Sequence, residues 1–158
     1  MGLVLDSIDR RILGVLQEEA RLSNVELAER VGLTPAPCLR RVRSLEEAGV
    51  IQKYAALVDA GALDLGVTVF AQVTLDKQIK DQLEIFESSV QQWPEVMDCY
   101  LMTGDSDYLL RIVLPDVEAY ERFLNEALTQ VPGVASIKSS FALRQVKYST
   151  ALPLTTGC

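Results

Sequence analysis

Residues 22–49, LSNVELAERVGLTPAPCLRRVRSLEEAG, constrain the fold of this chain more than any other stretch. They contain two helix starts and two helix stops in close succession. Ser23-x-x-Glu26 reads as a capping box, in which the serine oxygen and the glutamate each satisfy a backbone N–H that the first turn leaves unpaired. Leu27, Ala28 and Val31 would form the buried side, and Gly32 ends the helix because glycine tolerates a left-handed backbone. A second start follows at once. Thr34 is placed to cap and Pro35 occupies the first helical position, where its missing N–H is no loss. Gly49 stops that helix. Two short helices joined by a tight glycine-containing turn make a helix-turn-helix.

The flanking pattern supports a small helical domain. Asp6 is a good N-cap, and Ile8, Ile12, Leu13 and Leu16 recur at helical spacing, predicting a helix to about Glu19. Gly14 inside it costs on the order of 1 kcal/mol of helix propensity, and nothing in the sequence explains it. Residues 50–58 (VIQKYAALV) read as a strand. The run 59–66 reads as a connector rich in turn residues.

From residue 67 the period changes. VTVFAQVTL at 67–75 alternates, with Val67, Val69, Ala71, Val73 and Leu75 on one face and Thr68, Gln72 and Thr74 on the other. Ile79, Leu83, Phe86 and Val90 then step as an amphipathic helix that Trp93-Pro94 terminates. Residues 96–103 and 107–114 read as two strands around a Gly104-Asp105 turn. Val117, Tyr120, Leu124 and Leu128 predict another helix, stopped by Pro132-Gly133, and residues 134–147 a last strand. The expected fold class is α+β: an N-terminal winged helix-turn-helix domain at 1–60, a connector at 61–66, and a C-terminal ferredoxin-like βαββαβ domain at 67–158.

Composition narrows the function. The chain has 158 residues and a formal net charge of −7, which argues against nucleic acid if taken as a whole, because phosphate neutralisation supplies most of the binding. The charge is uneven, however. Residues 1–60 carry 8 Lys/Arg against 9 Asp/Glu, a net of −1, and the remainder carries 7 against 13. A local basic strip at Arg40, Arg41, Arg43 and Lys53 fits DNA binding through one element. The sequence contains no histidine, removing the commonest metal ligand and general base. Cys38, Cys99 and Cys158 lack metal-ligand or disulfide-framework spacing. No apolar run approaches a membrane span, and Asp6 and Asp9 interrupt any signal-like pattern, so a cytoplasmic protein is expected.

Placing Val42 at the centre of the buried face of helix 34–48 puts Cys38, Leu39, Leu45 and Glu46 near it at about 100° per residue. Pro37, Arg40 and Ser44 fall opposite, with Arg41 and Arg43 on the flanks. Arginine suits this face because its fork bonds guanine or grips phosphate. Thr34, Ser44 and the helix N-terminus can bond phosphate oxygens. A solvated face on a structural bundle is the plainer alternative. Cys38 reads as core packing. The acidic turn Gly104-Asp105-Ser106-Asp107 is chemically apt for an amino acid: backbone N–H groups for its carboxylate, Asp105 or Asp107 for its ammonium. Spacing alone favours an ordinary hairpin turn, since Gly and Asp are common turn residues.

LSNVELAERVGL at 22–33 and GLTPAPCLRRVRSLEEAGVI at 32–51 resemble the winged helix-turn-helix of the Lrp/AsnC feast/famine regulators. TGDSDYLLR at 103–111 and PGVASIKSSFALRQVK at 132–147 resemble that family's C-terminal sensing domain, and the likeness covers residues 5–154 in order. It implies binding of double-stranded DNA, with Asn24, Thr34, Pro35, Ala36, Pro37, Arg40, Arg41, Arg43 and Ser44 as candidate contacts. It also implies an amino-acid effector at subunit interfaces near Leu101, Thr103, Gly104, Asp105, Asp107 and Tyr108, with Ser140 and Phe141 on a neighbouring wall. A mostly apolar wall favours a leucine- or methionine-like ligand. A homodimer paired through the C-terminal sheets, assembling to an octamer, and control of amino-acid metabolism genes complete the expectation. No metal or resident cofactor and no membrane partner are expected. Two rivals are an enzyme of ferredoxin-like fold, for which no nucleophile–base pair or metal cluster is present, and an oligomerising module that does not read DNA, against which the exposed arginines argue.

Overall fold

The computed structural model describes residues 4–154, so Cys158 lies outside the described residues. The chain divides into two compact units, residues 1–57 with 146–158, and residues 58–145.

The first unit is three helices, α1 (Ser7–Glu18), α2 (Asn24–Val31) and α3 (Pro35–Glu47). Each start is chemically marked. The Asp6 side chain accepts from the Ile8 and Asp9 N–H groups while the Asp9 carboxylate accepts the Asp6 N–H, a capping box built from two aspartates. Ser23 and Glu26 form the second box as expected. Gly32 takes φ 74°, ψ 37°, the left-handed stop that a side chain would strain. The helices close on Ile12, Leu27, Ala28, Val31, Cys38 and Leu45, all at 3% exposure or less.

Residues 50–58 form no strand. A strand exists only through a partner ladder, and none of the described residues supplies one; Tyr54, Leu57 and Val58 remain exposed. The C-terminal segment that follows residue 145 belongs to the first unit. The Gln17 side chain bonds both the N–H and the carbonyl of Leu152, at 2.6 and 3.1 Å. Leu154 packs on the helical core, with its Cδ1 3.5 Å from where a Cβ on Gly14 would stand. Gly14 therefore lies in the floor of the slot that receives the tail.

The second unit is β1 (Val67–Leu75), α4 (Lys80–Val90), β2 (Val96–Leu101), β3 (Tyr108–Leu114), α5 (Val117–Glu126) and β4 (Val134–Phe141). The sheet is antiparallel in the order β2-β3-β1-β4, the arrangement expected of βαββαβ. Alternate residues Val69, Ala71, Val73, Leu75, Tyr108, Leu110, Ile112 and Leu114 face the helices and are buried with Phe86, Val90, Tyr120 and Phe123. β4 stops at Phe141 rather than 147 because β1 runs out of partners: Phe141 pairs with Val69, and the ladder closes on Ala142 N–H to Thr68 O.

Candidate DNA-reading helix and effector loop

α3 is oriented by what its buried side meets. Cys38, Val42 and Leu45 enter the helical core. Burial pushes the Cys38 thiol up, which keeps it protonated and supports its reading as packing. Glu46, expected near the buried centre, is exposed and accepts the Tyr54 hydroxyl at 2.8 Å. Thr34 occupies the N-cap position without a side-chain capping bond, so its hydroxyl remains exposed. The Asn24 amide donates to the Pro35 carbonyl at 2.7 Å, joining the start of α2 to the first turn of α3.

The outward residues divide sharply. Thr34, Pro35, Ala36, Arg40, Arg43 and Ser44 are exposed and Pro37 is half-buried. Among the described residues neither Arg40 nor Arg43 makes an ion pair. Arg41, the arginine on the other flank, has a different environment. One of its terminal nitrogens lies 2.7 Å from Asp6 Oδ2 and 2.8 Å from Asp9 Oδ1. Asp9 is 7% exposed. The Asp9 N–H and then Arg41 hold the Asp6 carboxyl below its usual range. Asp6 was legible as a cap, but nothing local signals that the same carboxylate also grips an arginine 35 positions away.

The loop between β2 and β3 is the second candidate site. Gly104 takes φ 114°, and Thr103, Gly104 and Asp105 are exposed. The ends of the loop are tied: Met102 N–H donates to Asp107 O at 2.8 Å and Asp107 N–H to Val73 O at 2.9 Å. Between them the N–H groups of Thr103, Gly104, Asp105 and Ser106 have no acceptor among the described residues. The two aspartates differ. Asp105 faces solvent, whereas Asp107 is 3% exposed, with Oδ2 accepting the Leu75 N–H at 2.7 Å and Oδ1 accepting the Gln78 amide. Gln78 carried no signal in the sequence, since its role depends on the fold bringing it to Asp107.

The remaining candidates are spread over the sheet. Tyr108 is buried on the helix side, stacked on Phe86 at 4.5 Å between ring centres, and its hydroxyl donates to Glu87. Burial and that bond push its phenol up. Leu101 is exposed. Ser140 pairs opposite Phe70 on the open face, while Phe141 meets Tyr120 edge-on across 5.5 Å on the helix-covered face. Adjacent strand residues point to opposite sides, so one copy of β4 does not present both to a single wall. No group of three or more potential metal ligands occurs among the described residues.

Comparison with known proteins matches both units. Residues 5–52 match the model of a winged helix-turn-helix DNA-binding domain, and residues 68–152 that of the Lrp/AsnC ligand binding domain. The chain is 46% identical over 155 residues to the leucine-responsive regulatory protein of Klebsiella pneumoniae, covering 98% of this chain and 94% of that protein. It is 45% identical to the leucine-responsive regulatory protein of Escherichia coli K12, with the same coverage. Among solved structures, a transcriptional regulator of Neisseria meningitidis in complex with L-Met has a TM-score of 0.91 at 46% identity, over 96% of this chain and 97% of that one. An AsnC family transcriptional regulator from Agrobacterium tumefaciens has a TM-score of 0.91 at 41% identity, over 95% and 97%.

Proposed function

The chain belongs to the Lrp/AsnC family of DNA-binding transcription regulators, and we propose that it controls amino-acid metabolism genes by reading duplex DNA through α3 and sensing a leucine- or methionine-like amino acid at residues 103–106. Membership makes the chain a regulator with a ligand-binding domain, not an enzyme. On the DNA side, Arg40 and Arg43 carry unneutralised guanidinium groups on the exposed face, and Thr34 and Ser44 offer hydroxyls to phosphate. Pro35, Ala36 and Pro37 keep the front of α3 free of bulky polar groups, letting its N-terminus approach the backbone. Asn24 stands beside that turn.

The observation that carries the effector assignment is the row of N–H groups from Thr103 to Ser106 without acceptors. Successive free N–H groups in a turn form a concavity for an anion, here the ligand carboxylate. Asp105, exposed beside it, is the partner for the ammonium; Asp107 serves by holding the turn in shape. Leu101 offers an exposed apolar wall, and Ser140, on the open face of β4, is assigned to the wall contributed by a second subunit, whereas Phe141 points to the helix side against Tyr120. The named relatives respond to leucine or hold L-Met, which favours that side-chain class.

Self-association follows from the open face of the sheet, where Phe70 and Tyr100 are 38% and 58% exposed. A second copy covers that face in the homodimer, and dimers assemble to an octamer. We place the protein in the cytoplasm with its DNA; no described helix is long and apolar enough to cross a membrane. Calorimetry with L-Leu, L-Met and D-Met tests the sensing site. Saturable binding of an L-enantiomer, weakened in Asp105→Ala, is the expected result. A thermal-shift panel in which none of the twenty amino acids moves the melting temperature would remove the assignment.

A further inference from the structure

We propose that Arg41 is a positioning residue for DNA reading rather than a DNA contact: gripped by Asp6 and Asp9, it sets the rotation of α3 about its own axis and so aims Arg40 and Arg43.

The argument starts from what holds α3. Its buried side carries Cys38, Val42 and Leu45, three compact side chains whose apolar contacts are non-directional. Such packing resists separation of helices more than it resists a small rotation. Directional bonds are therefore what fix the helix face. Two tie α3 to the helices before it: the Asn24 amide on the Pro35 carbonyl at the front, and Arg41 in the middle. A single Arg41 nitrogen donates to two carboxylates, at 2.7 and 2.8 Å. Both carboxylates are themselves immobilised, because Asp6 and Asp9 cap α1 and bond each other's backbone. The grip is therefore rigid at its far end. Arg40 and Arg43 lie on either side of Arg41 in the chain, at about 100° and 200° around the helix, so rotation of α3 moves both together.

Charge separates the two roles. Arg41 brings one positive charge to two negative ones. A phosphate approaching it meets a locally acidic cluster, unlike one approaching Arg40 or Arg43, which have no ion pair among the described residues. An arginine gripping phosphate contributes to the salt dependence of binding. An arginine that only aims its neighbours does not.

The inference rests on assigning Arg40 and Arg43 to the DNA face, and Arg40→Ala tests that assignment separately. The test uses the full chain and duplexes that the wild-type protein selects from a random-sequence pool, with scrambled duplexes as reference. Affinities are measured across a salt series well below each variant's melting temperature. Asp9→Asn and Asp6→Asn remove one negative charge each, and asparagine preserves the cap of α1. Electrostatics alone makes both bind DNA more tightly. The positioning role makes both lose preference for selected over scrambled duplex, by roughly tenfold for Asp9→Asn, as does Arg41→Ala. Arg41→Lys, which keeps the charge and loses the fork, restores little of it. In all of them the slope of log affinity against log salt stays at the wild-type value, whereas Arg40→Ala flattens it by about one. The proposal is overturned if Asp9→Asn or Asp6→Asn binds more tightly with preference intact. It is also overturned if Arg41→Ala flattens the slope as Arg40→Ala does, or if Arg41→Ala lowers the melting temperature alone. A wild-type slope in Arg40→Ala would instead sink the DNA-face assignment.

Discussion

The Asp107 carboxylate, 3% exposed, accepts the backbone N–H of Leu75 at 2.7 Å across 32 positions of chain. This bond ties the last residue of β1 to the start of β3 at the edge of the candidate effector loop. Asp107→Ala leaves the Leu75 N–H without its acceptor, and a buried unsatisfied donor costs about 1–3 kcal/mol. The variant should unfold several degrees lower by about that amount, and its loop should bind L-Met or L-Leu more weakly. Asp107→Asn keeps an oxygen for Leu75 and should lose less. DNA binding without effector should change little in either. Thermal unfolding beside calorimetry measures both effects, and wild-type stability in Asp107→Ala would contradict the role of the bond.

Gly14 lies beneath the docked tail, with room for a methyl group at ordinary contact distance from Leu154. Gly14→Ala should therefore stabilise the chain by about 0.5–1 kcal/mol through helix propensity. Removing residues 152–158 should destabilise it, by about 1–2 kcal/mol for the partly buried Leu154, and should expose Gln17. Denaturant unfolding of both variants decides this. A neutral truncation would mean that the tail contributes no net stability.

Cys99 is half-buried on β2, and burial, then the neighbouring Glu87 carboxylate, push its thiol up to about 11. A folded-state value above the unfolded one favours the protonated thiol. Its contribution to stability is present in full below the unfolded value of 9.0 and declines as pH rises toward 11. Cys99 should accordingly react slowly with iodoacetamide at pH 8 and accelerate through that window. Rapid modification at pH 8 by a folded sample, with Cys99→Ala as blank, would contradict it.

The unit spanning residues 58–145 has its own sheet and helices. Expressed alone it should fold and self-associate through the open face bearing Phe70 and Tyr100. Tyr100→Asp should shift that fragment toward monomer, because a charge buried without a partner is costly. Sedimentation at micromolar concentration checks both, and a wild-type fragment that sediments as monomer would place the interface elsewhere.

The sequence by itself determined the helices and the alternation of the sheet. Helices bond within a few residues, so Asp6, Ser23, Gly32 and Pro35 mark their ends whatever lies elsewhere. The period of two in β1 names its core face for the same local reason. Family motifs in order then pointed to DNA and an amino acid. The tertiary structure decided what depends on residues distant in the chain. Residues 50–58 have the composition of a strand and no ladder partner among the described residues, so they form none. Arg41 and Arg43 are equivalent in a helical projection, yet Asp6 and Asp9 stand on one side of α3 only, and one arginine is paired while the other is not. Asp105 and Asp107 are two positions apart in one turn, but the end of β1 meets only the second. Gly14 meets Leu154, 140 residues later, only when the tail docks on α1. Local backbone bonding is written in neighbouring residues; burial, charge pairing and strand pairing are long-range, and appear only when the chain has folded.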